Sequence, residues 1–169
     1  DEDAAEQTVN LAGIGAGGGE SQPLQVTASS SDTGLVPDPT VTYTSANSTG
    51  SIAFTPVSDQ SGTATITVTV EDGGLDGDLD TAGDNATFSR TFDVTVNAVN
   101  DTTTLDNIAD VTIDEDAAEQ TVSLAGIAAG GGESQPLRVT ASSSDAGVVP
   151  DPTVTYTSAN TTGSLKFTP

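Results

Sequence analysis

Histidine, cysteine, methionine and tryptophan are absent from this chain of 169 residues, and lysine and arginine together number only three. Without His or Cys, the commonest general base and the thiol nucleophile are missing. The serines have no visible activating partner. A carboxylate pair remains a route to glycoside hydrolysis. Platforms for stacking sugars are scarce, however, since the only tyrosines are Tyr43 and Tyr156. The composition therefore points away from an enzyme. The lack of Cys neither requires nor excludes an oxidising compartment. No stretch has the apolar length of a membrane-spanning helix, so membrane insertion is not expected. No signal peptide is visible, but the chain opens in mid-pattern and nothing follows from that.

What is abundant is negative charge. Twenty-five carboxylates face Arg90, Arg138 and Lys166, for a net charge of −22. Ion pairs cannot neutralise such a surface, and its self-repulsion costs stability unless cations bind or salt screens it. Nucleic acid and anionic membrane are excluded as natural partners by the same sign of charge. Most of these carboxylates read as a solvated surface that keeps the chain soluble, and calcium ligation by a few of them depends on placement.

Hydrophobic residues make up 34% of the chain and aromatics 4%. Low hydrophobicity with high net charge is also the signature of disorder, but regular alternation argues against it here. Thr63–Val70 carries Ala64, Ile66, Val68 and Val70 between threonines, the period-2 pattern of a half-buried strand. Further strands are predicted over Gln7–Ile14, Leu24–Ser30, Val41–Thr44, Ser51–Thr55 and Phe88–Val99. The last places Phe92, Val94, Val96 and Ala98 on one face, with Arg90 on the same parity at the edge of the core. Val, Ile, Leu and Ala must build that core, with Phe54, Phe88, Phe92 and Phe167 as its large pieces. No apolar period of 3.6 residues runs for any length. The fold class is all-β, as tandem antiparallel β-sandwiches.

The chain repeats itself. DEDAAEQTV at Asp1 returns at Asp114, 113 residues on, and residues 1–56 align with 114–169 without a gap. Eight positions differ (10, 15, 25, 33, 35, 48, 52 and 53), leaving 48 identities in 56. The changes are mild except for Gln25 to Arg138 and Ala53 to Lys166. Two domains are expected: repeat 1 over 1–101, without the start of its first strand, and the N-terminal part of repeat 2 over 102–169. Lacking its last two strands, the second would expose Val139 and Phe167 unless a partner chain or a continuation covers them.

The segment Asp72-Gly-Gly-Leu-Asp76-Gly-Asp78-Leu-Asp80-Thr-Ala-Gly-Asp84 holds a second kind of pattern. Asp76, Asp78 and Asp80 have the alternate spacing that opens an EF-hand loop. The match then fails, with Thr81 at position 6 and Thr87 at position 12. With Glu71, six carboxylates crowd this short stretch and repel one another. It reads either as a metal-binding loop, Ca²⁺ being the ion suited to oxygen ligands, or as a solvated hairpin connection rich in turn residues.

The order Thr-Ile-Thr-Val-Thr-Val-Glu-Asp-Gly-Gly, a loop, then Phe-Asp-Val-Thr-Val-Asn-Ala-Val-Asn-Asp resembles the last two strands of bacterial cadherin-like or immunoglobulin-like repeats. Such repeats recur in giant surface proteins and adhesins, and the wording here is most similar to planctomycete-type examples. The resemblance implies an extracellular, cell-surface setting and Ca²⁺ at the ends of repeats. Carried over, the implied ligands are Glu2 and its copy Glu115, Asp59, the Asn100–Asp101 pair, and Asp145 with Ser143 beside it. The pattern is incomplete, since Ala98 stands where such linkers have their first Asp and the Asp-x-Asp pair has only one acid. An isopeptide crosslink, found in other surface domains of this kind, would need a buried Lys. Lys166 is the only lysine and is Ala53 in the first copy.

Near-identical, aromatic-poor copies imply a spacer or fibre segment whose partners are neighbouring repeats of the same or identical chains. An adhesin module for a glycan or protein ligand is the alternative. The sequons at Asn47, Asn85, Asn100 and Asn160 leave glycan attachment open. The glycine runs Gly15–Gly19 and Ala128–Gly132 read as flexible loops, since neither leads into a helix or a Lys.

Overall fold

The structure is a computed structural model describing residues 1–81 and 83–169. It divides into two compact units, Asp1–Val99 and Asn100–Pro169. The boundary falls two residues before the expected 101/102 because Asn100 and Asp101 are tied to the second unit. The Asp101 N–H donates to Glu133 Oε2 at 3.1 Å, and Gln135 Nε2 donates to Asn100 Oδ1 at 2.9 Å.

The first unit has six strands: β1 (Gln7–Ala12), β2 (Leu24–Ser30), β3 (Thr40–Thr42), β4 (Thr49–Phe54), β5 (Gly62–Asp72) and β6 (Thr87–Val96). They form two antiparallel sheets ordered β1-β4-β3 and β2-β5-β6. The alternation within β5 dictates the arrangement. Ala64 and Ile66 are fully buried and Val68 nearly so, while the threonines between them face outward. Ile52 and Phe54 of β4 and Leu24 and Val26 of β2 join them in one core shared by both sheets, a sandwich-like packing. Ile66 stands opposite Phe92, and Ala64 opposite Val94, in the β5–β6 ladder. Of Ile66, Val68, Phe92 and Val94, all expected to be buried together, Ile66 and Val68 are buried, whereas Phe92 and Val94 are half-buried and pack on the core margin.

Two expectations need correction. Phe88 is 60% exposed and is no core residue. Instead its ring carries the guanidinium of Arg90, 4.8 Å from the centroid, a cation–π contact worth about 0.5–1 kcal/mol at an exposed site. The last strand also ends at Val96 rather than Val99, leaving Ala98 exposed. The other strands match within a few residues at each end. β1 stops at Ala12 because Gly13 turns to φ 73°, and the next backbone bond, from Ile14 N–H, goes to the Ser48 carbonyl.

The second unit repeats only the first sheet. Strands β7 (Gln120–Leu124), β8 (Thr153–Thr155) and β9 (Gly163–Phe167) pair in the order β7-β9-β8. Gln120 lies opposite Phe167, as Gln7 lies opposite Phe54. Residues 137–143 copy β2 but form no strand, because β2 pairs with β5 alone and no copy of β5 is present. Burial follows. Leu24, Val26, Ile52 and Phe54 are buried, whereas their copies Leu137, Val139, Leu165 and Phe167 are only half-buried. Leu35 is 5% exposed and its copy Val148 is 66% exposed. No helix occurs among the described residues.

Candidate functional site

The densest chemistry is the acidic connection between β5 and β6. It is folded around its own carboxylates. Asp72 is buried; its Oδ1 accepts from the backbone N–H groups of Gly74 and Ala86, both at 3.0 Å, and so clamps the base of the hairpin. Asp84 Oδ2 accepts the Leu75 N–H at 2.7 Å. Gly74 is required there, because at φ +58° a Cβ would fall 2.5 Å from the Asp84 carboxyl carbon. Asp76 Oδ1 accepts from the Asp78 N–H, and Asp78 Oδ1 accepts from the Asp80 N–H, each at 3.0 Å. Glu71 Oε1 accepts from Asn85 Nδ2. The alternate aspartates are thus successive side-chain-capped turns.

Each cap occupies one oxygen of its carboxylate and leaves the other for a further partner. Among the described residues no group of three Asp, Glu, His or Cys side chains is placed to hold a metal ion.

The residues implied by the resemblance lie in two separate units, and each has its own surroundings. Glu2 is 3% exposed; its Oε1 accepts the Val99 N–H at 2.7 Å, and its own N–H donates to the Asn97 carbonyl at 3.0 Å. Glu115, its copy, is exposed. Asp59 is exposed in the turn before β5, at φ 59°, a left-handed conformation that a short polar side chain tolerates. Asn100 bridges Gln135 to the Asp101 carbonyl. Asp145 closes a turn by accepting the Gly147 N–H at 2.9 Å, and its backbone carbonyl accepts from Val148 and Val149. Asp32 does the same in the first copy, so this carboxylate is a repeated turn device. Ser143 Oγ accepts from the Asp145 N–H at 3.2 Å.

Two features were not legible in the sequence. The glycine run of the second unit serves close approach. A Cβ on Gly130 would lie 2.5 Å from the Thr102 carbonyl, and Thr104 pairs with Ala128 across this edge. The other is an apolar cleft of about 420 Å³ at the seam between the edge strands β1 and β6. Val9, Leu11, Val70, Phe88 and Phe92 line it, with Arg90 at its side. Its lining contains no carboxylate, hydroxyl or other group able to act as acid, base or nucleophile. No helix among the described residues is long and apolar enough to cross a membrane. Compared with protein-family models, with curated proteins and with solved structures, the chain matches none.

Proposed function

We propose that this chain is a structural spacer segment of a repetitive extracellular surface protein of bacterial type, without enzymatic activity. The observation that carries the reading is the repeat. Forty-eight of 56 aligned residues are identical, and both copies build the same three-stranded sheet in the same register. Repetition of a scaffold with its turn devices favours extension over recognition, because a recognition site diverges from its supports. The carboxylates fit this role as turn caps and as a charged surface that resists association.

Calcium is not needed for this reading. One oxygen each of Asp76, Asp78 and Asp84 is occupied as a backbone cap, and among the described residues no group of three acidic side chains is placed around an ion. Electron microscopy of the native surface protein tests the spacer reading, with a chelator arm for the ion. Regularly spaced, sandwich-sized beads along a fibre support it. Globular tips assembled from these repeats would overturn it.

An adhesin reading is favoured by one observation, the seam cleft with the exposed Phe88 ring under Arg90. A glycan or protein ligand bound there would be lost with Phe88→Ala. Binding of the chain to a glycan array, removed by that substitution, would replace the spacer by the adhesin.

A further inference from the structure

We propose that Asn47 and Asn160 are N-glycosylation sites, each carrying a glycan on the turn that joins the last two strands of the repeated sheet, β3 to β4 and β8 to β9. Four Asn-x-Thr triplets begin at Asn47, Asn85, Asn100 and Asn160, and such triplets act as acceptors where they lie on surface loops. Their surroundings separate them. Asn85 is half-buried, and its Nδ2 donates to Glu71 Oε1 and to the Leu79 carbonyl, both at 3.2 Å. Asn100 Nδ2 donates to the Asp101 carbonyl at 3.0 Å, while its Oδ1 accepts from Gln135 at 2.9 Å. Asn47 and Asn160 are exposed, and their side-chain amides make no hydrogen bond among the described residues.

The turn itself gives these two side chains no task. The backbone N–H of Asn47 closes it onto the Thr44 carbonyl, and that of Asn160 onto Thr157, each at 3.1 Å. The residue before is left-handed in both copies, with φ 73° at Ala46 and 77° at Ala159. That third position of a turn is the one Gly or Asn fills at least cost. An asparagine serving turn geometry would therefore stand at 46 and 159, not one place further on. The neighbouring side chains are occupied. Ser45 Oγ accepts the Leu24 N–H at 2.9 Å, and Ser158 Oγ accepts that of Leu137 at 2.8 Å. The Tyr43 hydroxyl donates to the Asn47 carbonyl at 3.0 Å. What is left is a free amide with an exposed threonine two residues on, Thr49 or Thr162. One of the eight differences between the copies falls inside this triplet, Ser48 against Thr161. It falls at the middle position, which the motif leaves open to any residue but proline.

In the transfer, the amide nitrogen attacks the anomeric carbon of a sugar diphosphate donor held by a glycosyltransferase. The C–N bond forms as the C–O bond to the diphosphate breaks, the diphosphate leaves with the electron pair, and the amide gives up one proton. The product sets one bulky, hydrated group on each copy of the turn. The inference rests on the spacer reading only for its extracellular setting. Fragmentation mass spectrometry of the surface protein isolated from its own cells tests it directly. Sugar mass is expected on Asn47 and Asn160 and not on Asn85 or Asn100, and unmodified Asn47 and Asn160 would overturn the proposal. Selection by the fold is read by incubating the folded 169-residue chain with UDP-glucose and a soluble asparagine glucosyltransferase specific for Asn-x-Ser/Thr. One hexose should enter at each of Asn47 and Asn160. Asn47→Gln and Thr49→Ala should each abolish transfer at the first turn, Thr49→Ser should keep it, and the thermal unfolding of Asn47→Gln should be unchanged. Transfer to Asn85 as fast as to Asn47 would show that the hydrogen bonds select nothing, and would also overturn the proposal. Unmodified asparagines on a beaded fibre would remove this inference and leave the spacer reading, whereas glycans on globular tips would do the reverse.

Discussion

The buried carboxylate of Glu2 accepts the backbone N–H of Val99 at 2.7 Å, tying the first turn of the chain to the segment just beyond β6. A reciprocal backbone bond runs from Glu2 N–H to Asn97 O. The copy in the second unit, Glu115, is exposed, so the two glutamates differ in role although their sequence surroundings are the same. Removing a buried charged acceptor leaves its donor unsatisfied, at about 1–3 kcal/mol. Glu2→Ala should therefore lower unfolding free energy by that amount in urea titration. Glu115→Ala should change it by less than about 0.5 kcal/mol, as a surface substitution does. Equal effects would show that the Glu2 clasp carries no stability.

Gly74→Ala tests the fold of the acidic connection. The new Cβ meets the Asp84 carboxylate and must adopt φ +58°, a combination that costs roughly 1–3 kcal/mol. Gly83→Ala, where no atom lies within 4 Å, should cost far less. Comparable thermal shifts in the two variants would mean that Asp84 does not sit over Gly74.

The aromatic pair on β6 gives a third expectation. Phe92 packs against the core and Phe88 does not. Phe92→Ala should cost about 2–4 kcal/mol, towards the lower part of the range for a large-to-small core change because the ring is only partly buried. Phe88→Ala should lose little beyond its contact with Arg90, about 0.5–1 kcal/mol. Chemical denaturation of both variants checks this, and the reverse order would show that β6 presents its other aromatic to the core.

Salt should stabilise the protein, because the charges of a −22 chain repel one another. With no group of three acidic side chains placed around an ion among the described residues, Ca²⁺ should raise Tm no more than NaCl of matched ionic strength. Calorimetry in the two salts decides it. A saturable increment specific to Ca²⁺ and reversed by EGTA would show that the carboxylates hold the ion.

The strands were legible because their signal is local. Threonine alternating with Ala64, Ile66, Val68 and Val70 specifies both strand and face, and β2 falls on its expected bounds. Phe88 misled because parity gives the face of a residue but not the extent of the opposing sheet. It lies at the seam beside the edge strand β1, where nothing covers it. The aspartates left two readings open for another reason. Alternate spacing is shared by a cation loop and by consecutive capped turns, and only the backbone directions distinguish them. Glu2 was legible as a special carboxylate, but its acceptor duty towards Val99 depends on a contact 97 residues away.

The copying of one scaffold on either side of β5–β6 has a consequence for how the chain folds. In the unfolded polypeptide the hairpin lies between two nearly identical acceptors, residues 1–56 before it and 114–169 after it. The closest native pair, Ser30 opposite Ile66, is 36 residues apart, whereas Asp72 and Leu137, the closest pair onto the later scaffold, are 65 apart. Because closure entropy grows only with the logarithm of length, the two differ by about 0.5 kcal/mol in favour of the earlier scaffold. Arg138 offers the later acceptor an attraction that Gln25 does not, while Glu2 and Val99 reward the earlier one. Folding is therefore expected to be a competition between the native topology and a permuted decoy of the same chain. Refolding should show a slow phase in which hairpins caught on the wrong scaffold let go and return.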